Sequence, residues 1–166
     1  MTIFHATPYD ISASGFYFET WEEYQEKAAK HKNEYGWPVE EYEIQFIDGD
    51  GCGLFNALEI NQASLKDWFD RWADLDDDTA TRVRILLDHY GMDSDAALEH
   101  ADDLQLFEGT PVEYAEQLVD DTGMLDGAPE ELKRYFDYEA FARDLLAGGD
   151  IAEIDIAGKR YIATGV

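Results

Sequence analysis

The sequence holds a single cysteine, Cys52, and only 12 Lys and Arg against 38 Asp and Glu in 166 residues. One cysteine excludes an intramolecular disulfide and gives no sign of an oxidising compartment. The shortage of positive charge leaves a formal net charge of −26. A chain of that sign repels phosphates, which excludes nucleic-acid binding through a phosphate-neutralising surface. It excludes docking on an anionic membrane leaflet for the same reason. No run of 18 apolar residues is present, so no membrane-spanning helix is expected. Met1-Thr2-Ile3-Phe4-His5 has neither a basic region nor a long apolar run, so no signal peptide is expected. Together these absences predict a cytoplasmic protein.

Catalytic and metal signatures are also missing. The four histidines, His5, His31, His89 and His100, form no pair at i+3 or i+4. With one cysteine, that argues against a transition-metal site. There is no G-x-S-x-G and no P-loop, and nothing singles out an acid/base pair among the 38 carboxylates. The lack of a catalytic constellation argues against an enzyme. Gly49-x-Gly51-x-Gly53 has the wrong spacing for a dinucleotide fingerprint and reads as a flexible hairpin loop. Asp48, Asp50 and Glu59 occupy positions 1, 3 and 12 of an EF-hand spacing, with Gly53 at position 6. Position 5 is the Cys52 thiol, a poor ligand for a hard cation, and a strand precedes the loop where an EF-hand needs a helix. The three residues are a weak calcium candidate.

What the chain does have is apolar mass: 45% apolar and 14% aromatic residues. Disordered acidic chains are poor in these, so a folded core is expected. The charge is spread evenly. Residues 1–60 carry 12 acidic and 3 basic residues, 61–109 carry 13 and 4, and 110–166 carry 13 and 5, or −9, −9 and −8. A metal cluster or catalytic dyad needs a few carboxylates in one place, not 38 spread along the chain.

The coarse element order predicts an α+β protein of three small modules: a strand-rich N-terminal module (1–60), a helical module (61–109) and a mixed C-terminal module (110–166). Strands are expected at Ile3–Ala6, Gly15–Glu19 and Glu41–Ile47. Between the last two, a helix capped by Thr20 and Glu23 runs to about Asn33. Leu65, Trp68, Phe69 and Trp72 fall at i, i+3, i+4 and i+7, one apolar helical stripe best read as core packing. Asp76-Asp77-Asp78 caps a helix burying Val83, Leu86, Leu87 and Tyr90. Asp93 or Ser94 starts a third helix, carrying Asp95, Glu99, Asp102 and Asp103 outward. Thr110-Pro111-Val112-Glu113 is a complete capping box for a helix ending at Gly123. Short helices follow from Pro129 to Phe136 and from Asp137 to about Ala147. A closing hairpin turns at Ala157-Gly158.

Evenly spread carboxylates have a length scale. Duplex DNA carries one charge per about 1.7 Å of axis, so 26 net charges match roughly 44 Å, about 13 base pairs. Outward carboxylates at helical spacing lie about 6 Å apart, close to successive phosphates on one strand. Asp67/Asp70/Asp74, Asp95/Glu99/Asp102 and Glu113/Glu116/Asp120 are such stripes. An elongated fold coated this way would present a duplex-like potential to a DNA-binding cleft. Simple solubility, or a salt-loving host, explains composition alone equally well.

The segment Glu113-Tyr114-Ala115-Glu116, Asp121-Thr122-Gly123, Pro129-Glu130-Glu131-Leu132 and then Tyr135 to Leu145 resembles the C-terminal part of ArdA-type antirestriction proteins. The run Tyr135-Phe136-Asp137-Tyr138-Glu139-Ala140-Phe141-Ala142-Arg143-Asp144-Leu145 is its most specific piece. The N-terminal element order is similar too, while the Asp48–Gly53 loop departs from the shorter turn of that family. The resemblance implies an elongated, curved homodimer that mimics bent B-form DNA. Such a protein occupies the DNA-binding groove of type I restriction-modification enzymes, on their methyltransferase core, and protects incoming mobile DNA. It implies no catalysis and no cofactor. Gly127 to Tyr138 carries the segment associated with dimerisation, which makes Tyr135, Phe136, Tyr138 and Phe141 candidates for interface or core. The candidate mimic surface comprises Glu19, Glu22, Glu23, Glu26, Asp67, Asp70, Asp74, Asp77, Asp95, Glu99, Asp102, Asp103, Glu113, Glu116 and Asp120. The alternatives are an acidic interaction protein sequestering other basic DNA-binding proteins, a calcium-binding module, or a small enzyme from a halophile.

Overall fold

A computed structural model describes residues 2–165, and the chain divides after Glu99 into two compact units. Each holds a three-stranded antiparallel sheet with helices, an α+β arrangement.

In the first unit, β1 (Ile3–Pro8) is the centre of a sheet ordered β2-β1-β3, flanked by β2 (Phe16–Phe18) and β3 (Tyr42–Asp48). Strand alternation turns Phe4 and Ala6 inward, where both are fully buried. Phe4 pairs with Phe18 and Phe46 in register, and its ring lies 5.3 and 5.2 Å from theirs. It also meets Phe55 at 5.6 Å and Phe69 at 5.5 Å. One strand residue thus gathers rings from two further strands and two helical segments. Such aromatic pairs add to plain area burial.

Helix α1 (Trp21–Lys30) starts where Thr20 accepts the Glu23 N–H. The returning bond from the Glu23 carboxylate goes to the Glu19 N–H (2.8 Å), one residue before the cap. Lys27 Nζ donates to the Tyr17 carbonyl and ties the helix to β2. The helix stops at Lys30 because residues 31–39 fold back on themselves, closed by the Lys32–Pro38 bridge. Burial pushes the Tyr42 hydroxyl up to about 12, with Tyr24 adding to it. That hydroxyl donates to the Val39 carbonyl.

The Gly49–Gly53 stretch is not a hairpin loop. Gly51, at φ +93°, ends the turn after β3, and α2 (Cys52–Ala57) follows with Gly53 inside it. A side chain at Gly53 would start 2.5 Å from Arg84 Nη1, so the glycine lets α2 lie close to α4 (Asp77–Asp88). The stripe from Leu65 is buried at Leu65, Trp68 and Trp72, and Phe69 is half-buried. It is not one α-helix: α3 (Leu65–Asp67) widens into a π-helical turn, Trp68–Trp72. Ala73 N–H reaches the Trp68 carbonyl at 2.9 Å, and Trp72 Nε1 donates back to Asp67 Oδ2 at 3.0 Å. The wider turn lets both Trp68 and Phe69 reach Phe4. Asp76 caps α4 through the N–H groups of Asp78 and Thr79, and Asp93 caps α5 (Ser94–Glu99) through Asp95 and Ala96.

The second unit has a sheet ordered β4-β6-β5. The strand β4 (Gln105–Glu108) lies in a stretch read from sequence as helical, and it exists through its pairing with β6 (Lys159–Thr164). β6 also pairs with β5 (Ala152–Ile156) across Ala157 and Gly158, both at positive φ, as a two-residue hairpin turn needs. Helix α6 (Pro111–Thr122) starts at the full Thr110–Glu113 capping box and ends at Gly123 with φ +62°. It packs on α8 (Tyr138–Gly148), and α7 (Glu130–Lys133) is one turn shorter than the run to Phe136. Leu104, Ala115, Val119, Ala142, Ile154 and Ile162 make a core of small and aliphatic residues.

Candidate functional site

Folding puts the charge outside. No described charged side chain is buried. Of the 38 carboxylates, only Asp10, Glu23 and Asp67 are half-covered and the rest are exposed. Residues 1–99 contain 22 acidic and 7 basic residues, and 100–166 contain 16 and 5, so the units carry −15 and −11. That is about one net negative charge per six or seven residues in each. The field belongs to both folded units equally.

The few cations are spent on nearby carboxylates. Lys27–Glu23 (2.6 Å), Lys30–Glu26 (2.7 Å), Lys66–Asp70, Arg82–Asp78 (2.8 Å) and Arg84–Asp88 (3.2 Å) are all one helical turn apart. Arg71 bridges Asp67 and Asp95, and Asp95 foremost holds its guanidinium above the ordinary value. In the second unit Lys133 pairs with Glu130, Lys159 with Glu108 and Arg160 with Glu153. Exposed pairs of this kind contribute little stability. Their consequence is electrostatic: among the described residues they use nine of twelve Lys and Arg and leave most carboxylates facing solvent without a counter-charge.

The fifteen candidate carboxylates therefore differ in kind. Glu23, Glu26, Asp67, Asp70 and Asp95 are paired with cations, and Asp103 meets His100 Nδ1 at 2.9 Å. Glu113 is tied into the cap of α6. The Thr110 N–H, and then its hydroxyl, hold the Glu113 carboxyl below its ordinary value. Glu19, Glu22, Asp74, Asp77, Glu99, Asp102, Glu116 and Asp120 are exposed, with no ion pair among the described residues. Helix α5 ends at Glu99, so Asp102 and Asp103 sit in turns beyond it rather than on one helical stripe with Asp95. Sequence spacing overlooks Asp10, whose carboxylate holds the turn at Ser12, while Asp76 and Asp93 hold the caps expected of them rather than facing out freely.

The aromatic candidates separate too. Tyr135 is 85% exposed. Phe136 lies 4.9 Å from Tyr138 and 5.7 Å from Phe141, a ring cluster within the second unit. Among the described residues, no group of three or more His, Cys, Asp or Glu is placed to hold a metal ion. Asp48 instead accepts the N–H of Gly49, and Glu59 has a backbone φ of +51°. No described helix is long and apolar enough to cross a membrane.

Both units of this small α+β protein thus carry a strongly net-negative surface, with most of the cations held in pairs with carboxylates. The model of the family described as antirestriction protein (ArdA) matches residues 9–157. The chain therefore belongs to the ArdA family of antirestriction proteins, inhibitors that act on restriction-modification enzymes. No curated protein matches the chain.

Proposed function

We propose that this antirestriction protein works as a mimic of bent B-form duplex DNA, occupying the DNA-binding groove of a type I restriction-modification enzyme at its methyltransferase core. One observation supports the reading: the negative charge is exposed, in large excess over its counter-charges and about equally dense on both folded units. A groove that binds DNA is lined with phosphate-seeking Lys and Arg, and it senses field and spacing rather than bases when it meets carboxylates. Twenty-six charges correspond to about 13 base pairs per chain, and a homodimer doubles this to about 26. Three modules per chain, 1–60, 61–109 and 110–166, make up the mimic. Exposed Tyr135 is assigned to a dimer contact, and Phe136, Tyr138 and Phe141, which cluster with one another, are the further candidates for it. The protein acts in the cytoplasm, without catalysis, by displacing DNA.

The test is displacement. Labelled duplex bound to a type I methyltransferase core should be released by the purified protein, and less efficiently as salt rises. Duplex that stays fully bound at saturating protein would refute the proposal.

A further inference from the structure

Among the described residues, the first unit exposes six large apolar side chains, and four of them, Tyr9, Ile11, Tyr35 and Trp37, lie on two short loops. Tyr9, Tyr35 and Trp37 are 66%, 71% and 67% exposed, and Ile11 is fully so. These loops are stitched together. Asn33 Nδ2 donates to Asp10 Oδ2 at 2.8 Å, and the Glu34 N–H donates to the Ser12 carbonyl at 3.0 Å. The Asn33 carbonyl oxygen of the side chain accepts the N–H groups of both Tyr35 and Trp37, at 3.0 Å each. Asp10 in turn accepts the N–H and hydroxyl of Ser12, at 2.9 and 2.6 Å. Two polar side chains thus fix the backbone that presents three aromatic rings.

We propose that this pair of loops is an anchoring patch that takes lysine and arginine side chains from the basic surface of the DNA-binding partner. The proposal rests on the mimicry reading and adds a contact that phosphates lack. The faces of Trp and Tyr attract ammonium and guanidinium groups, most strongly when water is displaced. Aromatic residues held rigid in this way are the usual anchors of protein interfaces. Charge decides the occupant. Residues 9–13 and 32–41 hold Asp10, Glu34, Glu40 and Glu41 against Lys32 alone, a net −3. A second copy of this chain would bring −3 against −3 at this patch, whereas a Lys/Arg-rich surface complements both ring and carboxylate. Distributed charge then steers the encounter, and the aromatic patch lengthens residence.

The two contributions separate by salt. Carboxylate attraction is screened, but ring contact at close range is not. In the displacement assay, with the full chain and a type I methyltransferase core, Tyr35→Ala/Trp37→Ala should weaken inhibition about tenfold. The loss should be equal at about 50 and 200 mM salt, leaving the salt slope of the parent protein unchanged. Trp37→Phe, which keeps a ring, should recover most of the affinity. Inhibition within about twofold of the parent would overturn the patch and leave mimicry standing. A parent protein that never displaces duplex would overturn both. A double variant that is monomeric by light scattering where the parent is dimeric would assign the patch to self-association and overturn the proposal. Because the rings are exposed, the melting midpoint should not move, and a lowered midpoint with inhibition restored by stabilising osmolyte would also count against it.

Discussion

If the inhibitory field is distributed, no single carboxylate is decisive, yet blocks of them are. The ion-pair and cap pattern tells which can be neutralised without damage. Glu22, Glu34, Asp74, Asp77 and Glu99 in the first unit are exposed, and among the described residues none is in an ion pair or a helix cap. Asp102, Glu116, Asp120, Glu131 and Asp144 form an equivalent set in the second. Changing each to its amide preserves shape. One block takes the net charge from −26 to −21, and both take it to −16. An exposed charge contact contributes about 0.3 kcal/mol in general, a factor of about 1.7 in binding. A single amide should therefore weaken inhibition less than about twofold, one block about tenfold, and both about a hundredfold. The assay is the inhibition constant for duplex displacement, with thermal melting as a folding control. Relief of self-repulsion should hold or raise the melting temperature, so lost inhibition would not be lost fold. The salt dependence of inhibition should shrink with each block. A single amide that costs more than about tenfold, or a double block that leaves inhibition intact, would refute a distributed field.

Other expectations concern the fold that displays the charge. Phe4→Ala removes a fully buried ring that meets five others, and should destabilise the first unit by about 3–5 kcal/mol, measured by urea unfolding. Thr110→Ala removes one side of the α6 capping box and should cost about 1 kcal/mol, lowering the midpoint of the second unit by about 4–8 °C in calorimetry. Asp76 is held below its ordinary value, first by the Thr79 N–H and then by the Thr79 hydroxyl. A depressed carboxylate stabilises above its unfolded value and loses that contribution as pH falls through the folded one. Circular dichroism should accordingly show acid unfolding setting in below about pH 4, and Asp76→Ala should flatten that limb.

Much of the architecture was legible because it is written locally. The caps at Thr20, Asp76, Asp93, Thr110 and Asp137, and the stop at Gly123, are short-range chemistry, and they stand at helix ends as read. Ile3, Phe16–Phe18 and Tyr42–Ile47 alternate or cluster as strands do, and they form one sheet. The missed elements depend on distant partners. β4 is four residues long, too short to show a period, and is a strand only because β6 lies beside it. Helix α2 carries a glycine that lowers helix propensity, and it forms where Leu54 and Phe55 can be buried. The π turn keeps the stripe of Leu65, Trp68 and Trp72 but not its α register, because Trp68 and Phe69 both pack toward Phe4. For the surface, the sequence supplied its charge but not its pairing. Asp67 and Asp95 look alike as letters, and only the fold brings both to Arg71.

The central claim is that protein and DNA contend for the same groove. Native mass spectrometry of a type I methyltransferase core mixed with saturating duplex and saturating protein tests it most directly. The account predicts two populations, enzyme with duplex and enzyme with the protein, and no particle holding both. An enzyme carrying duplex and protein together would contradict mimicry.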